Sequence, residues 1–527
     1  MRHGGMTERT SLAARLSRPT SRRNLLRWTA AGGIGSVLAA RLPRGVTAQG
    51  TPAGPALDEL TIDLAAEPPT LDPATVYDAD GWSIVHSVYD ALVQYGPDGT
   101  LESLLAESLD LIDPLTYEAK LRQGVRFHNG EPFDARSVAV SVRHIIESGT
   151  QVVDYFKRIL EVEEVDPFTV RFKLSEPAPW LPAQMAAWLV MLPPDYAADP
   201  ANDLGANPVG TGPYVFAGWD RGAELELTAN PDSFAGGPKG RPFAQRVTYR
   251  FVPAGSTRVA DLLNGTAHLV RGVPVDQVEA ARDGGAEVRA EPIAGAAFVR
   301  IATDVAPFDD VRVRQALNHA VDVDTIVQAL LGGNGRRLAN LFVPNGLGHD
   351  PGLAPYAYDP ERARALLTDA GHEEGFETSL AYASNEREEI VAAIAGQLTE
   401  VGVRVALQAV ELATFNETWA DPEAAPLRFA TWRPLFDPYT LLGLIVSNAG
   451  FLSRHDNPTA QALIAAGATE ADEAKRAETY RQLGRVLHNE PAAIYLYDLT
   501  ALYGVDDQTA SVWTPRPDDY IIATTRG

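Results

Sequence analysis

Cysteine is absent from the 527-residue chain. This absence excludes disulfide bonds, thiolate metal ligands, a cysteine nucleophile and a lipid-modified cysteine at a signal cleavage site. Histidines are few and scattered, although His144 and Glu147 stand three residues apart on a predicted helix, a spacing that could hold a metal. Because no third ligand lies near them in sequence, a helix-surface position is the alternative interpretation. We expect no catalytic residues, no metal and no cofactor.

Positive charge is scarce over most of the chain. The formal net charge is −24, from 45 basic and 69 acidic residues. Residues 1–48 contain nine arginines and one acidic residue, so the remainder holds 36 basic and 68 acidic residues, a net charge of −32. Nucleic-acid binding depends on Lys and Arg that neutralise phosphates. The charge therefore excludes nucleic acid as the expected partner.

Long hydrophobic runs are lacking as well. The longest candidate, residues 28–40, is too short for a membrane-spanning helix of about 20 residues and is diluted by glycine. It follows the pair Arg22 and Arg23 and precedes a small-residue cleavage site at residues 46–48. This order predicts a Tat signal over residues 1–48, which engages the Tat translocase and places the protein in the periplasm or on the outer face of the cytoplasmic membrane. A chance arginine pair in a disordered tail is the alternative.

Strands and helices are mixed along the rest of the chain. Residues 49–58 are predicted to form a flexible leader, and the alternation in residues 60–64 predicts a strand. Asp134 and Asp359 are placed as N-caps of amphipathic helices, and residues 386–401 predict a helix that leads into a strand at 403–407. Residues 162–174 predict a hairpin, and 472–487 followed by 493–497 predict another helix and strand. The pattern indicates an α/β protein of two or three lobes.

Several sequence blocks resemble the solute-binding proteins of peptide and nickel ABC importers, family 5. They occur in the family's order and span nearly the whole chain after the signal: residues 121–134, 207–214, 307–317, 358–360 and 494–505. Gly210 and Gly212 in the second block fit a tight turn that needs unusual backbone angles. Arg312 and Arg314 are expected to cap and brace a helix, with a ligand role as the alternative.

The resemblance implies a large periplasmic-binding-protein-like clamp with an extra subdomain and two hinge crossovers. Lobe I is expected over residues 59–290 and again over 493–527, and lobe II over 291–492. The crossovers are expected near Glu291 and Ala492. A monomer with a solute in the cleft between its lobes is implied, and the partner is a membrane ABC permease with its ATPase subunits.

The resemblance also places ligand contacts in two loops. The loop after the first strand reaches Tyr77, Asp80 and Gly81. A loop in lobe II contains Trp432, with a broad rigid ring, and Arg433, which could pair with a carboxylate or phosphate. A position of Trp432 in the core beneath the loop is the alternative.

Phe436 and Asp437 complete the second predicted contact loop. Peptide-binding members of the family carry an Asp about three residues after the Trp to hold the peptide amine, whereas this chain has Leu435 there. Asp437 follows only in an Asp-Pro turn. If Asp437 does not reach the cleft, an acidic, sugar-like or other polar solute becomes more plausible than a peptide.

The sequence thus predicts an extracytoplasmic solute receptor of an ABC importer that captures a small polar, oligopeptide-like or related solute and is not an enzyme. A Tat-exported hydrolase or cofactor-bearing enzyme is the alternative from another class, because the Tat route often carries proteins that acquire cofactors before export. Sensing or a chaperone-like role without transport also remains open.

Overall fold

The computed structural model describes residues 56–525, apart from 77, 97, 151, 235–238, 345, 420, 434–436 and 451. The predicted Tat signal and most of the predicted leader therefore lie outside the described residues. Within the described ranges, no helix combines the length and the apolar character needed to cross a membrane.

Strands and helices alternate through most of the described chain. The strands are β1 Leu57–Leu64, β2 Val93–Tyr95, β3 Leu101–Ser103, β4 Ala106–Asp113, β5 Thr116–Leu121, β6 Ile159–Asp166, β7 Thr169–Leu174, β8 Tyr214–Asp220, β9 Glu224–Ala229, β10 Arg241–Pro242, β11 Ala244–Phe251, β12 Leu269–Arg271, β13 Glu287–Ile301, β14 Phe376–Ala383, β15 Val403–Val410, β16 Leu427–Trp432, β17 Ala493–Val505 and β18 Thr524–Thr525.

The α-helices are α1 Ala79–Val88, α2 Ala135–Glu147, α3 Val153–Phe156, α4 Leu181–Trp188, α5 Pro194–Ala198, α6 Gly255–Leu263, α7 Val278–Asp283, α8 Val311–Ala320, α9 Val323–Leu331, α10 Pro360–Asp369, α11 Glu388–Glu400, α12 Leu412–Glu417, α13 Tyr439–Leu441, α14 Pro458–Thr469, α15 Glu473–Asn489 and α16 Asp507–Ala510. A 3₁₀-helix at Val275–Gln277 and a π-helix at Leu442–Val446 accompany them.

One ten-stranded sheet runs through both lobes, in the order β15-β14-β16-β13-β17-β12-β1-β11-β9-β8. Its two longest strands, β13 and β17, pair antiparallel and connect the two halves. The register between them shifts twice between Pro292 and Phe298. Such irregularities bend and twist a strand locally. The two crossovers are therefore neighbouring strands with an irregular middle, and the two-lobed α/β clamp is confirmed.

Separate hydrophobic clusters form on the two sides of this crossing. In lobe II, successive β13 residues alternate between faces, so Val299 packs in one cluster and Phe298 in the other. In lobe I, Ile62 and Tyr249 lie in a third cluster, to which β17 contributes Tyr503. Strand β17 thus contributes residues to the cores of both lobes. The division at 290/291 and 492/493 stays a prediction.

The extra subdomain is built on a smaller antiparallel sheet, β4-β5-β7-β6. Phe172 on β7 and Val138 and Val142 on α2 are fully or almost fully buried in its own cluster. The chain returns from this subdomain to the large sheet at β8. The subdomain therefore projects from lobe I as an insertion between β1 and β8.

Local sequence signals identified several element ends correctly. Asp134 and Asp359 cap α2 and α10, each by accepting a backbone hydrogen bond. The predicted hairpin at 162–174 is β6-β7. The first helix begins at Ala79, because Asp78 accepts from the Gly81 N–H and caps it.

The Gly210–Gly212 turn is required for a different reason from the one predicted. Neither glycine has a positive φ. Instead, a Cβ on Gly210 would lie 2.1 Å from the Val88 carbonyl oxygen, and one on Gly212 would lie 2.6 Å from the same atom. The expectation of unusual backbone angles is wrong; the two glycines allow the loop to pack directly on the end of α1.

Asp63 is a buried carboxyl group near the C-terminal end of β1. It is fully inaccessible to solvent, and one carboxylate oxygen lies 3.5 Å from Nε of Arg250. Burial raises the pKa of Asp63 from its ordinary 3.8 to about 7, although Arg250 opposes the shift. The folded protein therefore keeps a proton on Asp63 that the unfolded chain would release at lower pH.

We expect this proton to give a recognisable pH dependence of stability. Between the two pKa values the folded state binds more protons than the unfolded state, so the free energy of unfolding falls as pH rises. Asp63→Asn should remove part of this decline in urea unfolding measured across that range. The exposed Asp58 lies on the same strand, and Asp58→Asn should keep the wild-type slope. Equal slopes in all three proteins would contradict the assignment.

Candidate functional site

The loop after β16 carries the residues at which the candidate site is centred. Alternation along β16 places Thr431 and Arg433 towards one side of the large sheet and Trp432 towards the other. Strand β16 pairs with the irregular crossover strand β13, where Ala296 lies opposite Trp432. Gly295 allows this approach, because a Cβ there would lie 3.0 Å from the Trp432 carbonyl oxygen.

A cavity of about 830 Å³ lies between the lobes on the Thr431 side, and we term it the hinge cavity. Lobe I contributes residues around 255–276, lobe II contributes residues around 329–334 and 386–390, and β17 contributes residues 499–502. Its charged lining residues include Arg271, Glu386, Arg433 and Asp519. This volume falls within the usual range for small-molecule sites.

A second cavity of about 480 Å³ lies between the extra subdomain and lobe II, and we term it the aromatic cavity. Four aromatic side chains line it: Tyr155, Trp188, Trp419 and Trp432. The rings of Tyr155 and Trp188 are stacked, with centroids 6.3 Å apart. Thr431 and Arg433 line both cavities, so the two chambers meet at the end of β16.

Asp519 joins the lobes at this point. Its carboxylate accepts from Arg433 of lobe II, and from Arg271 and the Tyr503 hydroxyl of lobe I. Asp519 is almost fully buried and has a φ of 65°, a left-handed conformation that non-glycine residues seldom adopt. Such a conformation persists only when the surroundings enforce it, and here three donors converge on one carboxylate.

The charges around Asp519 favour its ionised form. Burial alone would raise the pKa of Asp519, but Arg271 and Arg433 hold it below its ordinary value. Arg271 also donates to Asp80 over 3.1 Å. Asp80 in turn accepts from the backbone N–H groups of Ala65 and Ala66, each over 3.1 Å. A continuous chain of charged hydrogen bonds therefore runs from the loop after β1 to Arg433.

Asp437 makes a separate, buried ion pair. Its two oxygens accept from the guanidinium of Arg476 over 2.6 and 2.8 Å, and one also accepts from the backbone N–H of Tyr439. Burial acts to lower the pKa of Arg476, but Asp437 raises it above the ordinary value. The carboxylate is thus fully engaged within lobe II, and it does not line either cavity.

The predicted contact residues therefore have different surroundings. Trp432 and Arg433 line the cavities, whereas Asp80 reaches Arg433 only through Arg271 and Asp519. Gly81 is buried inside α1, where a Cβ would lie 2.7 Å from Val76. The roles of these residues in ligand binding stay predictions. The other predicted positions, Tyr77, Phe436, Arg22 and Arg23, lie outside the described residues.

Two acidic residues at the site were not anticipated from sequence. Asp519 follows Arg433 by 86 residues, and nothing in its own segment signals that it meets lobe II. Glu386 was included only as the first residue of a predicted helix, but α11 begins at Glu388 and leaves Glu386 in the preceding turn, facing the hinge cavity. The one sequence feature that could have indicated a site role for Glu386 is its acidic side chain just before the start of a helix.

The other candidate residues serve the structure. His144 lies 2.7 Å from Asp72, and the described residues contain no group of three or more side chains suited to hold a metal ion. Arg312 pairs with the cap residue Asp310, and Arg314 donates to the Phe308 carbonyl over 2.8 Å. The expectation that these two arginines cap and brace α8 is confirmed.

The extra subdomain and lobe II are in contact beside the aromatic cavity. Tyr439 stacks on Trp180 with centroids 4.5 Å apart, and Gln184 donates to the Thr440 hydroxyl over 2.7 Å. Arg158 lies over the Trp180 ring, 5.3 Å from its centroid. A further cavity of about 870 Å³ borders Tyr439 and Thr440, but none of the predicted contact residues lines it. The clamp is thus closed along this boundary.

The chain has two lobes, crossover strands that connect them and cavities at their boundary. This arrangement defines the class of proteins that bind a solute by closing two lobes around it. Residues 100–453 match the family model described as bacterial extracellular solute-binding proteins, family 5. The chain belongs to this family.

Curated relatives agree with this membership. The chain is 27% identical over 462 residues to a probable D,D-dipeptide-binding periplasmic protein of Escherichia coli, covering 84% of this chain and 88% of that protein. It is 30% identical over 393 residues to the glutathione-binding protein of Pectobacterium atrosepticum, covering 73% of each. By name both relatives bind solutes, and neither supports the alternative of an exported enzyme.

Solved structures agree in fold. The periplasmic binding protein DppA of Helicobacter pylori, in complex with the peptide STSA, superposes with a TM-score of 0.77 at 23% identity, covering 90% of this chain and 99% of that one. NikA of Brucella suis, in complex with Fe(III)-EDTA, gives a TM-score of 0.78 at 23% identity, covering 89% and 98%. At this identity the likeness establishes the fold alone.

We expect Asp437 to contribute stability rather than solute affinity. Asp437→Ala would leave the Arg476 guanidinium buried without a partner, which costs about 3–5 kcal/mol. As a control, Glu478→Ala removes an exposed partner of Arg481 and should cost about 0–1 kcal/mol. Urea unfolding measures both. An Asp437→Ala protein with unchanged stability and weakened solute binding would instead make Asp437 a ligand contact.

Proposed function

We propose that the protein is the extracytoplasmic solute receptor of an ABC importer. It captures a small polar solute between its lobes and delivers it to a membrane permease with its ATPase subunits. It acts as a monomer, by binding and closure, and catalyses no reaction. The observation that carries this proposal is Arg433, which lines both cavities and also bonds across the lobes to Asp519.

Arg433 suits a role in ligand binding and closure together. Its side chain keeps 38% of its surface exposed. Among the described residues its only hydrogen-bond partner is Asp519, through Nη1. A guanidinium presents five N–H donors in a fixed planar arrangement. The remaining donors are therefore available for a carboxylate or phosphate of the solute while Nη1 keeps the lobes together.

The aromatic cavity supplies the second part of the site. Aromatic rings bury large areas with little loss of conformational freedom, and they pack on apolar or planar parts of a ligand. Trp432, half-buried and in contact with the lobe II core, offers its ring to this chamber. An oligopeptide-like or related solute with one anionic group at Arg433 and an apolar portion on the rings fits this arrangement.

The lobes move about β13 and β17 in this proposal, with lobe I at residues 59–290 and 493–527 and lobe II at 291–492. Solute binding shifts the population towards the closed form, which the permease recognises. Tyr77, Asp80, Gly81, Phe436 and Asp437 are retained as proposed members or supports of the site. Among those described, Asp80 acts through Arg271, and Asp437 supports the site only by stabilising lobe II through its ion pair with Arg476.

Removing both cavity residues should separate binding from folding. We expect Trp432→Ala with Arg433→Ala to weaken solute binding at least tenfold, while the melting temperature falls by only a few degrees, since both side chains are partly exposed. Calorimetry against peptides, sugars, opines and metal chelates, together with thermal unfolding, measures the two effects.

A matched control exists in lobe I. Arg221 stacks on Trp219 at 3.4 Å, remote in sequence from both cavities, so Trp219→Ala with Arg221→Ala removes the same two side-chain types. This control should bind like the wild type. If the Trp432 and Arg433 double variant loses stability in proportion to its loss of affinity, both residues belong to the core and the proposed site is wrong.

We also propose export by the Tat route, with the protein folded before it crosses. The support is sequence alone: Arg22 and Arg23, the short apolar stretch after them and the small-residue cleavage site. Folding before export agrees with a chain that has no cysteine to oxidise outside the cytoplasm. The solute-binding clamp would then be complete on arrival.

Export gives a direct test. Arg22→Lys with Arg23→Lys should leave the precursor in the cytoplasm, because the translocase recognises the arginine pair. Arg41→Lys with Arg44→Lys keeps the same charge and should be exported normally. Cell fractionation and immunoblotting measure both, and unchanged export of the first variant would exclude the Tat assignment.

A further inference from the structure

Some acidic residues that line the hinge cavity have no arginine partner. Four arginines line it, and each is engaged. Arg271 and Arg433 share Asp519, Arg387 pairs with Glu389, and Arg258 donates to backbone carbonyl groups.

Two lining carboxylates have no arginine or lysine within 4.0 Å among the described residues: Asp276 and Glu386. Asp276 is exposed at the rim, so water solvates its charge. Glu386 is half-buried. Glu386 is therefore the one described acidic lining residue that is both withdrawn from solvent and without a cationic partner.

The position of Glu386 is fixed by neighbours inside the cavity. One of its carboxylate oxygens accepts from the Thr431 hydroxyl over 3.0 Å, and Thr431 lies two residues before Arg433. Burial raises the pKa of Glu386, with Thr431 and Arg433 opposing the shift. Burial, with the charge of Glu386 adding to it, also raises the pKa of Tyr497, another lining residue. The carboxylate is thus poorly solvated and near the crossover strands.

Apart from the solvent-exposed Asp276, the other carboxylates of the site are already paired with an arginine and cannot accept a cation from a solute without losing it. Asp437 holds Arg476, and Asp519 holds Arg271 and Arg433. A cationic group entering the hinge cavity would find these charges already neutralised. At Glu386 it would meet a carboxylate that gains from a counter-charge, because Thr431 and Arg433 offset the cost of its desolvation only in part.

We propose that Glu386, positioned by Thr431, is the anchor for a protonated amine of the solute. This inference rests on the proposed receptor function and deepens it. With Arg433 at the same junction available to a carboxylate, the solute class becomes an amine-bearing zwitterion, such as an amino-acid conjugate or short peptide. The amine is held from the 386–390 segment of lobe II rather than from the loop that contains Asp437.

The test compares free and blocked amines. Glutathione and a panel of dipeptides are titrated by calorimetry beside their N-acetylated forms, against the wild type, Glu386→Gln and Glu389→Gln. The wild type should bind at least one free-amine probe tenfold or more tightly than its acetylated form. Glu386→Gln should lose at least tenfold affinity for that free probe and change little towards the acetylated one.

Glu389→Gln is the matched control. Glu389 also borders the hinge cavity, but Arg387 holds its carboxylate over 2.6 Å, so this variant should retain the preference for the free amine. Thermal unfolding without ligand gives a second measurement. Glu386→Gln should leave the melting temperature unchanged or raise it, because it removes a poorly solvated charge. A clear decrease would make Glu386 a structural support of Thr431 and overturn the proposal.

The remaining outcomes distinguish a failure of the amine anchor from a failure of the receptor function. If the wild type binds acetylated probes as tightly as free ones, or Glu386→Gln binds the free probe like the wild type, the amine anchor is wrong while the receptor function stands. If the wild type binds no peptide, sugar, opine or metal chelate, and scattering shows no closure, the receptor function itself fails and the anchor with it.

Discussion

The carboxylate of Asp519 is the interaction on which the arrangement of the lobes depends. It is buried, has an uncommon backbone conformation and accepts from donors on both lobes. A buried carboxylate is stable only when charged partners replace the water it has lost. Separation of the lobes would remove Arg433 from it and leave Arg271 and Tyr503. The closed arrangement is therefore stabilised by charge compensation as well as by apolar contact.

The shared sheet determines where that interaction can act. Strands β13 and β17 carry backbone hydrogen bonds without interruption from one lobe to the other, except for the irregular pairing between Pro292 and Phe298. Arg433 follows the strand that pairs with this irregular segment, and Gly295 allows the close approach. Movement of the lobes and occupancy of the cavities are thus coupled at one short stretch of chain.

Much of the architecture could be predicted from sequence because its signals are local. Asp134 and Asp359 cap helices by accepting hydrogen bonds from the residues that follow them, and alternation predicted β1, β15 and the β6-β7 hairpin.

The site was harder to predict, because its decisive contacts join residues that are far apart in sequence. Arg433 was expected in the cleft, but its partner Asp519 lies in a segment near the C-terminus. The engagement of Asp437 by Arg476 depends on how α15 packs against the segment that precedes α13. The glycines of the 210–212 turn show the same limit: the sequence indicates that no side chain is tolerated, but only packing on α1 shows why.

The common ten-stranded sheet also limits how such a receptor can acquire a new specificity. A lobe exchanged or removed at β13 and β17 would expose the unpaired edges of central strands, which favour association with other chains. Recombination of whole lobes is therefore a poor route to a different solute. Specificity can instead change through side chains and loops at the ends of the strands, where the two cavities meet and where strand pairing constrains the sequence least.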